Sequence, residues 1–428
     1  MTTRQSLCRI VFAVAVLTAR TYSEEPCCKC DPDGTQASGA IYRICMPPDG
    51  AWNGGLIVYA HGYMAFNEPF GIPEDQLEFD SGVSVPGIIT GLGYAFAVTS
   101  YSVNGLAVKE GLADVVDLVD VFSNTYGAPS PVYIVGVSEG GLVTTLAVEE
   151  YPDVFDGGVC GCGPIGDFNI QMRWFGDFRV ALDYYFPGIL PGSVENVPSW
   201  LIDSWEGYYT ETVRTALFSP ANARKLRQLT AVTRAPFDLF DYRASLENSL
   251  RDMLWYTVFA TNDANEKLGG QPFDNLGRRY GGVLGAARLN RDVPRYTASE
   301  TALDEIAAFY QTTGKLERPL VSIHTLWDPQ VPYAHMPLYR AKTVRVGSAP
   351  QYLHIPIARY DHCEFKENEV LLAFALLVLR VEGADAVISL ALDSKLSSPQ
   401  EKAGFRALAT QYGLPLDPMP KVVLSTSK

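Results

Sequence analysis

The sequence predicts an α/β fold, with a mostly parallel central sheet flanked by helices and an inserted, mainly helical segment. Three observations predict it. Short, nearly continuous apolar runs of strand length alternate with segments of helical periodicity, the pattern of parallel strands covered on both faces. The alternation stops between about Phe168 and Phe309, then resumes. The interrupted stretch has helix-like segments and no clear strand alternation. It also holds four of the six tryptophans, Trp174, Trp200, Trp205 and Trp255, so a small apolar core of its own is expected there.

Each element follows from its local pattern. Gly39–Met46 and Leu56–Ala60 read as strands separated by the turn-rich stretch from Pro47 to Gly55. Gly93–Tyr101 reads as a third. In the next segment Leu112, Val115, Val116, Val119 and Phe122 recur at helical spacing, with Asp114, Asp117 and Asp120 opposite, and Gly127 and Pro129 stop the helix. Val132–Val135 is a short apolar run, followed after Gly140-Gly141 by a helix to about Tyr151. Asp156–Cys162, Pro319–His324 and Gln351–Ile355 are strand-like. Leu371–Leu379 is too short to span a bilayer and reads as a buried helix. The expected organisation is a targeting segment at 1–23, a first core part at 24–164, a helical lid or cap at 165–315, and a second core part at 316–428.

Composition narrows the function. Among 428 residues, hydrophobic types make up 47% and charged types 19%, an ordinary globular mixture. Lys and Arg number 34 against 48 Asp and Glu, a formal charge of −14, and basic runs never exceed two residues. A surface that tracks phosphates needs clustered cations, so nucleic acid is excluded as a partner.

The N-terminus reads as a secretory signal. Arg4 and Arg9 precede the apolar run Ile10–Leu17, and Thr21 and Ser23 suit the cleavage positions, with Ala19 as an earlier option. The run is too short for a stable membrane anchor, so a secreted or periplasmic location is expected. Loss of Cys8 with the signal leaves Cys27, Cys28, Cys30, Cys45, Cys160, Cys162 and Cys363, an odd number, so at least one is unpaired or intermolecular. Local disulfides, including one to Cys45, are the expectation for this exported chain, with a metal site from Cys27, Cys28 and Cys30 as the alternative.

Gly136-Val137-Ser138-Glu139-Gly140 is a G-x-S-x-G that follows a strand and opens a helix. That context exposes a serine on a sharp turn at the C-terminal edge of the sheet, beside the positive end of a helix. A serine hydroxyl is a weak nucleophile and needs a base, and the base needs an orienting acid. Of His61, His324, His335, His354 and His362, only His362 sits in a loop after the last strand and before a long helix. Asp361 is a poor partner for it, because adjacent side chains on an extended backbone diverge. Asp328 follows the strand ending at His324 and is the better acid, and Ser138, Asp328, His362 is a known chain order for such a site. The plain alternatives are a turn serine, a helix-capping aspartate and a packed histidine; the other four histidines read as structural.

On these motifs the chain resembles the α/β-hydrolase superfamily, of the serine esterase and lipase kind with a helical lid, from about Gly39 to Glu382. The resemblance implies that His61-Gly62 shapes the loop after a strand. It also implies an oxyanion hole from the backbone N–H groups of Tyr63 and Glu139. Asp328-Pro329-x-Val331-Pro332 is similar to the family's acid loop and His362-x-x-Phe365 to its histidine loop. The long separation between Ser138 and Asp328 matches the family's usual place for a lid. Two features depart from the pattern. Asp361 stands where glycine is usual, and either raises the imidazole pKa or points to solvent. Cys363 resembles tannase-like enzymes, in which a cysteine beside the histidine is bridged to one beside the serine. Val137 makes that motif incomplete, and the resemblance leaves Cys160 or Cys162 as the partner of Cys363.

The function expected is hydrolysis of a small-molecule or polymeric carboxylic ester through an acyl-enzyme, with no metal or organic cofactor. A peptidase or aminopeptidase of the same fold, with Glu206 and Glu211 as acidic candidates, and an inactive binding protein on the same scaffold are the alternatives.

Overall fold

In the computed structural model, residues 29–393 and position 403 are described. The expected signal at 1–23, Cys8, Cys27 and Cys28 lie outside the described residues. Nine strands form one sheet: β1 (Lys29–Cys30), β2 (Gly34–Thr35), β3 (Ile41–Met46), β4 (Leu56–Ala60), β5 (Ala95–Thr99), β6 (Val132–Val137), β7 (Gly157–Gly161), β8 (Leu320–Trp327) and β9 (Tyr352–Tyr360). Their order is β1-β3-β5-β4-β6-β7-β8-β9, with β2 also on β3. From β5 through β4 to β9 every pairing is parallel, and β1, β2 and β5 pair with β3 antiparallel.

Three of the inner strands are buried along their whole length. β4, β5 and β7 expose no residue, as parallel strands with helices on both faces must. The principal helices are α1 (Val85–Gly91), α2 (Val108–Tyr126), α3 (Glu139–Glu150), α4 (Phe168–Tyr185), α5 (Ala223–Thr233), α6 (Tyr242–Phe259), α7 (Glu300–Phe309), α8 (His335–Val346) and α9 (Glu367–Val381). One face of the sheet packs on α2, α3 and α8 through Val115, Phe122, Leu142 and Tyr339. The other packs on α1 and α9 through Ile88, Leu92, Phe374 and Leu377.

Between β7 and β8 the chain forms helices α4 to α7 with a separate core built on Phe178, Leu182, Trp205, Leu250 and Leu254. The aromatic runs of this segment serve mainly that core: Tyr185, Phe186 and Tyr209 are buried in it. The C-terminal strands are longer than their sequence patterns show. β8 continues past His324 to Trp327 and β9 past Ile355 to Tyr360, because the two strands pair with each other beyond their apolar stretches. Cys30 is bonded to Cys45, which joins the antiparallel neighbours β1 and β3.

Candidate active site

Ser138 occupies the turn between β6 and α3 with φ 56° and ψ −122°, a region costly for a residue with a Cβ and held only where surroundings enforce it. Here they do. Its N–H donates to Gly161 O at 2.8 Å, and its carbonyl accepts from Gly141 N at 2.9 Å. The flanking glycines permit the close approach: a Cβ on Gly136 would lie 2.2 Å from Gly140 O, and one on Gly140 would lie 2.0 Å from Ala60 O.

His362 follows β9, between two residues of positive φ, Asp361 at 90° and Cys363 at 50°. The loop is fastened at several points. Thr325 Oγ1 donates to Asp361 O at 2.6 Å, and the His362 N–H donates to the Asp361 carboxylate at 2.8 Å. Asn248 of α6 donates to the same carboxylate, while Tyr360 OH donates to Ser245 O at 2.7 Å. The inserted helices are therefore tied to the histidine loop. Cys363 is bonded to Cys162, while Cys160 is a buried free thiol, which resolves the alternative left open by the sequence.

The structure brings the three predicted side chains together. His362 Nε2 lies 2.9 Å from Ser138 Oγ, and His362 Nδ1 lies 2.7 Å from Asp328 Oδ2. Asp328 is 3% exposed, and its other oxygen accepts from the N–H groups of Gln330 and Val331, each at 2.8 Å. Burial pulls the His362 imidazole down. The Asp328 carboxylate and its hydrogen bond, then Asp252 and Asp361, outweigh burial, so the pKa ends above its ordinary value. Asp361 is thus one of the charges that raise the imidazole, and its carboxylate is held by Asn248 and the His362 N–H. Tyr63 and Glu139 line one cavity together with Ser138. Glu139 is the first residue of α3, whose N–H has no partner within the helix.

Of the remaining histidines, His61, His324 and His335 are buried and His354 is half-buried. His61 stacks on Tyr101, and burial lowers it to about 4. Nδ1 of His335 accepts from the N–H of Gly166, and burial lowers it to about 3. His354 sits between Ser322 and Tyr333 and is lowered to about 4. His324 Nε2 donates to Val331 O at 3.0 Å and lies 3.5 Å from Asp328; burial lowers its pKa, so this is a neutral contact rather than an ion pair.

Three site residues were not anticipated. Gln76 accepts from Gly62 N–H at 2.6 Å and so braces the loop before Tyr63. Gln330 accepts from Tyr256 OH and donates to Asp252, and Asp252 is pushed up to about 6 by burial. No local sequence signal separates these from other loop and helix polar residues. Glu206 and Glu211 line neither cavity at Ser138, and Glu206 is an exposed partner of Arg251.

Residues 89–175 match the model of the prolyl oligopeptidase family. No curated protein matches the sequence. Among solved structures the chain is similar to an esterase of Pyrococcus furiosus, at 12% identity over 85% of this chain and 97% of that one, TM-score 0.42. It is also similar to an esterase of Aspergillus oryzae, at 15% over 81% and 77%, TM-score 0.48. A third likeness is to an acylaminoacyl peptidase of Pyrococcus horikoshii, at 13% over 82% of this chain and 40% of the peptidase, TM-score 0.40. The segment matched by the family model is the one that bears the strained turn serine, and the mostly parallel sheet around it, flanked by helices, presents that turn at its rim, which is the α/β-hydrolase fold.

Proposed function

We propose that the chain cleaves carboxylic esters, with Ser138 as nucleophile, His362 as general base and then general acid, and Asp328 as the group that holds the imidazole tautomer. The observation that carries this reading is the continuous relay from Asp328 Oδ2 through both nitrogens of His362 to Ser138 Oγ. Ser138 attacks the carbonyl carbon as its proton passes to His362 Nε2. The carbonyl oxygen becomes an oxyanion between the N–H groups of Tyr63 and Glu139, where each donor is worth about 3 kcal/mol. Collapse expels the alcohol, protonated by His362, and water then attacks the acyl-enzyme through the same base.

The family match favours a second reading, a peptidase. Against an aminopeptidase that holds its amino terminus under the inserted helices stands the charge of that cavity. Among the described residues Glu139 is the one carboxylate lining it, and burial pushes Glu139 up to about 8, so it offers no fixed anion to an amino terminus at neutral pH. The inserted helices act as the lid over this cavity in the proposed enzyme. Export is part of the proposal too. It rests on the N-terminal pattern and is supported by two disulfides; sequencing the N-terminus of the mature protein checks it. Among the described residues no helix is long and apolar enough to cross a membrane.

The test is hydrolysis of p-nitrophenyl acyl esters against aminoacyl-p-nitroanilides by wild type and Ser138→Ala. Ester cleavage that falls about 10⁶-fold in the variant is expected. Full esterase activity in the variant would end the assignment, and preferential anilide cleavage would favour the peptidase. Failure of wild type to react with a fluorophosphonate would leave only the inactive scaffold.

A further inference from the structure

Ser138 stands where two cavities meet, with Tyr63, Tyr256 and Gln330 bordering both. One, of about 120 Å³, lies under the inserted helices. The other, of about 420 Å³, runs the opposite way, between the sheet and the helices α1 and α9. Its floor is formed by Val135, Val137 and Val159, and its walls by Ile88 and Leu92 near α1 and Phe374 of α9. Val135 and Val137 are partly exposed although they belong to an inner strand of the sheet. Protein interiors are close-packed and seldom keep voids much larger than a water molecule, so an apolar space of this size that opens on the nucleophile is a binding site.

The space has a structural cause. α1 has seven residues and so spans only about 10 Å, whereas a strand of five or six residues spans roughly 17–20 Å. The short helix leaves the rim end of β4 and β6 uncovered. Ile88 of the helix and Leu92 just past its end, at i and i+4, line the gap.

The lining also sets the chemistry of the occupant. Among the described residues no Lys or Arg borders the larger cavity, while Glu78, Asp80, Glu364 and Glu367 do. A chain ending in a carboxylate or phosphate is therefore disfavoured, and the apolar floor of Val135, Val137 and Val159 fits an uncharged aliphatic chain. Orientation follows from the base. His362 lines the larger cavity and not the smaller one, and the imidazole must reach the oxygen of the departing group. The geometry points to the larger cavity as the site for the alcohol part of the ester, with a small acyl group in the cavity beneath the inserted helices. The substrate class is short-acyl esters of uncharged aliphatic alcohols. From Ser138 to Val135 the floor is about 10 Å long at roughly 3.3 Å per residue, room for an alkyl chain of about eight carbons. This inference rests on the ester-cleaving reading above.

The experiment compares ethyl, butyl and octyl acetate in a pH-stat assay, together with calorimetric binding of 1-octanol, for wild type, Ile88→Trp, Ile88→Ala and Met172→Trp. Met172 lines the smaller cavity. For wild type, kcat/KM is expected to rise about tenfold or more from ethyl to octyl acetate, as several added methylenes leave water. Ile88→Trp should abolish that rise and the binding of octanol. Ile88→Ala, which needs no extra room, should shift the optimum to longer alcohols, and Met172→Trp should leave the alcohol preference unchanged. A flat alcohol series, or a preference moved by Met172→Trp and not by either Ile88 variant, would overturn the assignment. Octanol binding that depends on Ile88 in a protein that cleaves no ester would keep the cavity assignment and refute the esterase reading.

Discussion

Cys363, the residue after His362, is bonded through its sulfur to Cys162, the residue after β7. The bond joins the histidine loop to the same sheet rim that carries Ser138, and Cys162 is itself held there by its N–H to Ile323 O at 2.9 Å. The base is thus positioned by a covalent link to the strand beside the nucleophile's own.

Reduction, or Cys162→Ser, is expected to lower kcat/KM by up to about 10²-fold, because a displacement of order 1 Å at a reacting group costs that much. The loss should fall on kcat more than on KM. Cys160 does not confuse the experiment, since burial pushes its thiol up to about 11 and keeps it protonated and unreactive. Kinetics before and after reduction, with circular dichroism to verify the fold, check this; unchanged kcat in the reduced, folded protein would sink it.

Asp328→Asn should cost more, about 10⁴-fold in kcat. The side-chain oxygen that accepts from Gln330 and Val331 N–H must remain an oxygen, so the new amide nitrogen would face His362 Nδ1. An N–H donor there selects the tautomer whose Nε2 already bears a proton and cannot take one from Ser138. A fall of less than about tenfold would show that Asp328 does not set the tautomer.

The pH profile has a defined sign. The His362 imidazole must be neutral to act as base, and its pKa is raised by Asp328, Asp252 and Asp361 against the opposing effect of burial. Activity is therefore lost on the acid side at a pH above the ordinary histidine value. Asp252→Asn removes one of the raising charges while keeping a partner for Gln330, so the acid limb of kcat/KM should move to lower pH. A limb that stays in place or moves up would contradict the arrangement of charges described here.

Much of this site is readable along the chain because its parts are local. Gly136 to Gly140 compress strand, strained turn and helix into five residues, and that compression is what makes Ser138 visible. Asp328 and His362 each follow a strand among other polar residues, and they become visible only once the chain order is known. Gln76, Asp252 and Gln330 carry no comparable signal, since an amide or carboxylate in a loop or helix looks the same whether or not it braces a site. α1 carries no strong local signal either: Val85–Gly91 is one short helix with Pro86 in its first turn, and packing of Ile88 and Ile89 on the sheet holds it.

Read in one dimension, the chain specifies alternating strands and helices, the nucleophile turn and the order of its partners, because apolar periodicity and turn chemistry act over a few residues. Folding settled the choice of Cys162 over Cys160, the link between the inserted helices and the histidine loop, and the unequal cavities on either side of Ser138. Those features depend on how segments far apart in the chain meet, and on whether a seven-residue helix covers the strands beneath it.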